Sequence, residues 1–159
     1  DLEDVSDIRE ELVQEGYLRK QRTKRDRRQN DKAKPSLTVT RSSEGVLIYV
    51  GRNNRQNEYL TNRLAGSNDT WLHTKDIPGS HVVIRGEQFG ERTLHEAAQI
   101  AAYFSKGRTS GQVPVDYTLI RHVRKPRGAK PGYVIYDNQK TVYVNPDAAF
   151  IRELKFERK

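Results

Sequence analysis

The sequence predicts an α+β fold, in which a mostly antiparallel or mixed sheet carries helices packed on one side. Short β-branched and aromatic segments come in pairs separated by turn residues, which is typical of antiparallel strands. Segments with apolar residues three and four positions apart lie between these pairs and predict helices. Paired strands with interspersed helices favour this class over a parallel sheet. The 159 residues are enough for one domain with one hydrophobic core.

The predicted strands are short runs bounded by Gly, Ser, Asn or Pro. They cover residues 37–40, 46–50, 71–74, 81–84 and 113–120. Two more, 133–136 and 141–144, are expected to form a hairpin across an Asp-Asn-Gln-Lys turn. We therefore expect the compact domain to cover residues 37–159.

Three helices of this domain are predicted from their capping residues. Asn53 or Asn54 can cap the first helix, because a short polar side chain accepts a hydrogen bond from a free N–H of the first turn. Thr93 and Glu96 have the spacing of a capping box and predict the start of the second helix. Pro146 suits the first position of a short last helix.

The first 36 residues differ from the rest of the chain. Residues 1–18 place apolar side chains on one narrow helical stripe among acids, which predicts the end of a coiled-coil helix. Residues 19–34 hold nine bases against two acids, so 19–36 is predicted to be a flexible basic linker. Its candidate RNA contacts are Arg25, Arg27 and Arg28.

The formal net charge of +8 is concentrated in two short segments, this linker and residues 121–130. The second segment holds five bases and no acid: Arg121, Arg124, Lys125, Arg127 and Lys130. Two basic clusters on one face would attract a polyanion such as nucleic acid. The alternative is that these charges only keep the domain soluble.

Composition excludes several classes of protein. The absence of cysteine rules out disulfides, thiol catalysis and cysteine-built zinc sites. No apolar stretch approaches the roughly 18 to 20 residues that cross a membrane, and no signal peptide is recognisable. These features predict a cytoplasmic protein without a membrane partner. The chain also lacks methionine, which suggests a domain taken from a longer protein.

A polar motif at residues 51–57 follows a predicted strand and opens a predicted helix. Backbone N–H groups at such a junction suit a phosphate, and arginine and amide side chains add contacts to phosphates and base edges. Its candidate RNA contacts are Arg52, Asn53, Gln56 and Asn57. The alternative is that the asparagines only cap the helix.

A second motif, at residues 69–81, contains the only tryptophan and two of the four histidines. On a strand, Trp71 and His73 point to the same face and could stack on unpaired bases. The candidate RNA contacts of this motif are Trp71, His73, Lys75, Ser80 and His81. The alternative places Trp71 in the core and makes Pro78-Gly79 a tight turn.

A catalytic role for the same residues has less support in the sequence than RNA binding. A hydrolase could use His73, Ser80 and His81, but no Gly-x-Ser-x-Gly elbow is present. The histidine spacing matches no established metal-binding pattern, and no phosphate-binding loop of the P-loop type occurs. We therefore predict no catalytic residue, no metal, no cofactor and no enzymatic activity.

Three segments in matching order resemble the RNA-binding module of the NFACT family. They are GRNNRQNEYLT at 51–61, DTWLHTKDIPGSHV at 69–82 and KPRGAKPGYVIYDNQKTVYVNP at 125–146. The family's bacterial branch is ribosome quality-control factor H, also called fibronectin-binding protein A. The residues that lie inside the matching motifs are carried over as candidates, and RNA contact by each of them is our inference: Arg52, Asn53, Gln56, Asn57, Trp71, His73, Lys75, Pro78, Gly79, Ser80 and His81.

The resemblance also implies partners. They are tRNA, large-subunit ribosomal RNA and the 50S subunit with a stalled nascent chain, for which tRNA would be recruited to add a C-terminal alanine tail. A different class of function is a fibronectin-binding or general protein-interaction module.

Overall fold

The computed structural model describes residues 34–159, and the compact unit covers Pro35–Lys159. The predicted coiled-coil helix at 1–18 and most of the linker at 19–36 lie outside the described residues. The linker candidates Arg25, Arg27 and Arg28 lie outside them as well.

Antiparallel pairing dominates the described part of the chain, which confirms the predicted α+β class. The strands are β1 (Thr38–Arg41), β2 (Leu47–Val50), β3 (Thr70–Thr74), β4 (Val82–Ile84), β5 (Val113–Leu119), β6 (Val123–Arg124), β7 (Ile135–Tyr136), β8 (Lys140–Val144) and β9 (Glu157–Arg158). Seven of these form one sheet in the order β8-β5-β3-β4-β2-β1-β9, while β6 and β7 form a separate two-stranded ribbon.

Three α-helices accompany the strands in residues 34–159. They are α1 (Asn54–Tyr59), which continues as a π-helical turn over Leu60–Leu64, α2 (Glu91–Tyr103) and α3 (Ala148–Glu153). Asn53 caps α1 as predicted, because its side chain accepts a hydrogen bond from the backbone N–H of Gln56.

Both faces of the sheet are covered, which corrects the expectation of helices on one side. Along β3 the side chains alternate, so Leu72 packs with α2 in one cluster while Trp71 packs with Leu60, after α1, in another. We call these the α2 face and the Trp71 face. The residues around α1 hold enough apolar surface to cover the second face, since Tyr59, Leu60 and Leu64 all join the Trp71 cluster.

The start of α2 differs from the prediction. Its N-cap is Gly90, which has no side chain to cap with, so the free N–H groups are satisfied from outside the helix. The carboxylate of Glu44, in the β1–β2 turn, accepts hydrogen bonds from Gly90 N at 3.1 Å and Thr93 N at 2.9 Å. Glu96, expected to complete a capping box, instead accepts from the Ser43 N–H at 2.9 Å. Long-range capping replaces the local motif.

The predicted hairpin of 133–136 with 141–144 is wrong. Strand β7 pairs with β6, with Val123 opposite Tyr136, and β8 pairs with β5 at the sheet edge. The connection between β7 and β8 turns at Asn138, whose φ of 57° lies in the left-handed region that asparagine tolerates. This turn sends the two strands to different sheets.

The last helix is capped by Asp147, whose side chain accepts a hydrogen bond from Phe150 N at 3.2 Å. Pro146 therefore stands before the cap and not at the first helical position. After α3, strand β9 returns to pair with β1. This strand was not expected from the sequence, because two residues carry no periodicity.

Candidate nucleic-acid interface

Polar side chains that were expected to face RNA form a buried cluster under α1. The Trp71 side chain is 0% exposed, and its Nε1 donates to Thr61 Oγ1 at 3.2 Å. Thr61 Oγ1 lies 2.6 Å from Nδ1 of His81. The amide of Asn57 continues the cluster, because its Oδ1 accepts from His81 N at 3.0 Å. We call these four residues the interior polar cluster.

Burial fixes the protonation state of this cluster. Desolvation lowers the pKa of His81 to about 3, helped by the nearby His73 and opposed by the backbone of Gly132. Desolvation also lowers the pKa of His73, against opposing hydrogen bonds and the charge of Asp116. Both imidazoles are therefore neutral near pH 7.

Aromatic contacts connect this cluster to the β6–β7 ribbon. The His73 ring stacks on Trp71 with centroids 5.7 Å apart and an interplanar angle of 9°. Tyr136 packs on the other side of the cluster, 4.7 Å from the indole, and closes the face above it. Trp71 and His73 share a face, as predicted, but the Tyr136 ring packs against the indole where a stacked base was expected.

Four of the residues predicted to contact RNA are buried, and their RNA contacts stay predictions. Each side chain is less than a tenth exposed, so direct contact with a base or phosphate is not open to it in this structure. They are Asn57, Trp71, Ser80 and His81.

The turn between β3 and β4 has a structural reason for its Pro-Gly pair. Gly79 forms an isolated bridge with Ser105, and a Cβ atom at Gly79 would lie only 2.7 Å from the Ser105 Cβ. No larger residue fits such an approach without displacing the chain after α2. The motif at 69–81 therefore builds the interior more than the surface.

The first motif is divided between framework and surface. The side chain of Gln56 accepts from Arg52 N at 2.8 Å, which closes the turn before α1. The Arg52 guanidinium lies 4.2 Å from the centroid of the Phe104 ring. Burial, together with the neighbouring Arg158, lowers the pKa of Arg52. Asn53, Gln56 and Arg52 thus have structural contacts, and their RNA contacts stay predictions.

The basic segment at 121–132 is a surface loop, and we call it the basic loop. All five cationic residues of the loop are exposed: Arg121, Arg124, Lys125, Arg127 and Lys130. Gly128 and Gly132 have φ values of 78° and 84°, so the loop bends at residues that tolerate the left-handed region. Lys75, at the end of β3, is exposed as well.

Glu58 ties the basic loop to α1. Lys125 Nζ donates to Glu58 Oε1 at 2.7 Å, and Gly132 N donates to Glu58 Oε2 at 2.9 Å. Burial would raise the pKa of Glu58, but these hydrogen bonds outweigh it and hold the pKa below its ordinary value. One carboxylate thus fastens the loop in its middle and at its C-terminal end. This residue was missed in the sequence because a lone acid among arginines and asparagines gives no signal of its partner.

Arg121 is held against the opposite border of the loop. Its guanidinium contacts Asn68 Oδ1 and donates to the Ser67 carbonyl at 3.4 Å. The three conspicuous motifs of the sequence therefore meet in space, with the basic loop outermost and the interior polar cluster beneath α1.

The described residues include no group of three His, Asp or Glu side chains arranged to hold a metal ion. In the same part of the chain, none of the helices has the length and apolar character needed to span a membrane.

Comparison with known proteins places the chain in a family. The model of the NFACT protein RNA-binding domain matches residues 36–138. The chain belongs to the NFACT RNA-binding domain family. The resemblance of the three sequence motifs to this family is confirmed by the match, and the family is an RNA-binding one.

Curated relatives of this NFACT domain agree with the match. It is 59% identical over 152 residues to the Rqc2 homolog RqcH of Bacillus subtilis, covering 96% of the chain and 26% of that protein. It is 45% identical over 155 residues to the Rqc2 homolog RqcH of Streptococcus pneumoniae, covering 97% of the chain and 27% of that protein. The chain thus spans about a quarter of the length of these relatives.

A solved structure shares the fold of this NFACT domain. It is the C-terminal part of the fibronectin/fibrinogen-binding protein from Streptococcus suis, with a TM-score of 0.77 and 39% sequence identity. The match covers 98% of the chain and 62% of that structure.

Proposed function

We propose that this NFACT domain binds RNA by placing the basic loop against phosphates, as one part of a cytoplasmic ribosome quality-control factor. The observation that carries the proposal is the way Glu58 fastens the loop on the surface, leaving exposed cations on a shaped backbone. Phosphate contacts of this kind supply most of the sequence-independent affinity of nucleic-acid binding.

The proposed target is tRNA or large-subunit ribosomal RNA on a stalled 50S subunit. In this proposal the complete factor recruits tRNA and extends the nascent chain with C-terminal alanine. This domain contributes RNA binding and catalyses no step. The similarity to RqcH proteins and the cationic surface support it. Cross-linking of the factor on a 50S–tRNA complex tests it, and cross-links from the basic loop to tRNA or ribosomal RNA are expected.

Salt dependence is the primary test of the RNA contacts. If about five phosphates are neutralised, log K for tRNA should fall against log salt with a slope of roughly −3.5 to −4.5. Filter binding of tRNA to the full chain at several salt concentrations measures it. A nearly flat slope contradicts the proposal.

A triple variant locates the interaction. Replacing Arg124, Arg127 and Lys130 by alanine should weaken binding to all RNAs similarly. The slope of log K against log salt should become shallower by the amount expected for the loss of up to about three phosphate contacts. The matched control is R92A/R152A/K155A, which removes three exposed cations from α2, α3 and the segment after it. Equal losses for both triple variants would show a diffuse charge effect and reject the loop as the contact.

A matrix-protein partner is the second candidate, because the solved structure carries the name fibronectin/fibrinogen-binding protein. A pull-down with and without RNase separates the two. Partners that disappear after RNase treatment support the RNA proposal, whereas fibronectin retained directly after RNase treatment supports the second candidate.

A further inference from the structure

One end of the Trp71 face is left open by the β6–β7 ribbon. The register of β3, β5 and β8 brings Lys75, Pro114 and Tyr143 into one row, since Pro114 pairs with Tyr143 and the Lys75 N–H donates to the Pro114 carbonyl at 2.9 Å. We call this row the Tyr143 shelf. Tyr143, on the edge strand β8, is 64% exposed, the highest value among the exposed large hydrophobic residues of the described chain.

The neighbouring row shows why the shelf stays open while the rest of the face is closed. There Asp116, which is 1% exposed, accepts hydrogen bonds at 2.6 Å from both Tyr136 and Thr141 hydroxyls. Tyr136 therefore ends the protein cover at this row. Tyr143 lies one row further out, and its neighbours Val142 and Val144 are anchored in the core on the α2 face. The strand is fixed, but the ring is uncovered.

Charge beside the shelf favours a polyanionic ligand. Lys75 is exposed at the end of the row. Lys106 is exposed as well, and its backbone N–H donates to the Pro78 carbonyl at 3.0 Å in the turn that follows β3. Asp76, which follows Lys75 directly, is an exposed acid. The shelf lies on the same sheet face as the ribbon that emerges from the basic loop.

We propose that the Tyr143 shelf binds an unpaired nucleobase, with the Tyr143 ring stacked on the base and Lys75 beside the adjoining phosphate. An exposed aromatic ring on a fixed strand, next to a cation, is the arrangement by which proteins hold single-stranded nucleic acid with little sequence preference. A base within a duplex offers no free face to the ring. The shelf rests on the proposed RNA function and adds selectivity for unpaired segments to the grip of the basic loop.

Binding of two probes by the full chain tests the shelf. The probes are a single-stranded RNA oligonucleotide containing 2-aminopurine and an RNA hairpin of equal nucleotide number, whose bases are all paired in the stem and whose ends are closed by a non-nucleotide linker. Y143L, which keeps apolar bulk but removes the aromatic ring, should weaken single-strand binding on the order of tenfold. Its hairpin affinity should change less than twofold, because phosphate contacts are untouched. Y143F, which keeps the ring, is the matched control and should bind both probes as wild type does.

Fluorescence of the 2-aminopurine reports stacking directly. It should be quenched by wild type and Y143F and less so by Y143L at saturating protein. Wild-type affinity of Y143L for the single strand overturns the shelf while leaving the basic loop in place. Equal losses on both probes overturn it too, since stacking cannot explain them. A wild type that binds neither probe is the separate result that rejects the RNA function itself.

Discussion

The interior polar cluster and the basic loop look alike in sequence but have opposite positions in the structure. The sequence motifs that supply them both contain polar or charged residues next to glycine, and both resemble the NFACT family. One is sealed under α1 with its hydrogen bonds made internally, and the other is exposed and held by Glu58. The comparison teaches that a polar, aromatic-rich motif can preserve a framework, and in the proposed function the contact with RNA falls to the neighbouring basic loop.

The strongest test of this contrast removes Trp71. The W71A variant leaves a large cavity between the sheet and α1, so the free energy of unfolding should fall by about 3 to 5 kcal/mol. Urea unfolding followed by far-UV circular dichroism measures the change. Y143L, which alters an exposed aromatic residue, should change stability by less than about 0.5 kcal/mol. A W71A protein of unchanged stability but reduced RNA affinity would show that Trp71 contacts RNA after all.

Acid should weaken the interior polar cluster before it affects the loop. His81 has a pKa of about 3 when folded, whereas a histidine in the unfolded chain has a pKa of about 6.5. Between these values the unfolded chain binds the proton and the folded chain does not. The stability that depends on a neutral His81 is therefore fully present above about pH 6.5. The free energy of unfolding falls as pH drops towards 3, by up to about 1.4 kcal/mol per pH unit.

Urea unfolding at several pH values between about 5 and 7 measures this loss, and His73 should add to it because its pKa is lowered as well. The control is H95Q, which changes an exposed histidine on α2 and should leave the pH dependence of the free energy of unfolding unchanged. If stability does not vary over this range, the buried, neutral state of His81 is incorrect.

The smallest expected effect concerns the attachment of the basic loop. Glu58 and Lys125 are partly exposed, so solvent screens their ion pair. E58Q should therefore reduce stability by only about 0.5 kcal/mol, and the reduction should shrink at high salt. Thermal unfolding at two salt concentrations measures it, with E87Q as a control that removes an exposed acid elsewhere. A salt-independent loss of several kcal/mol would place Glu58 among the framework residues.

Local patterns predicted the strands that line the core, as well as the cap at Asn53. They also predicted that Trp71 and His73 share a face, because alternation is a property of the strand itself. What alternation cannot predict is the cover over that face. Tyr136 reaches the indole from the separate ribbon, and the pairing of that ribbon is decided by contacts between residues distant in sequence.

The start of α2 and the environment of Glu58 were missed for the same reason. Glu44 caps a helix that lies far along the chain, and Glu58 fastens a loop that lies still further from it. A carboxylate in either place is compatible with a simple solvated surface. Only the three-dimensional arrangement gives these acids partners, so no reading of neighbouring residues could have assigned them.

Strand β9 gives the compact unit one further property. Leu37, just before β1, and Lys159, just after β9, exchange both backbone hydrogen bonds, at 2.9 and 2.8 Å, so these two points of the chain lie side by side. A linker of a few residues could join them, giving a circular permutant with new ends at another surface turn. The same adjacency suits the unit for insertion into a loop of a host protein, because the host backbone would leave close to where it entered.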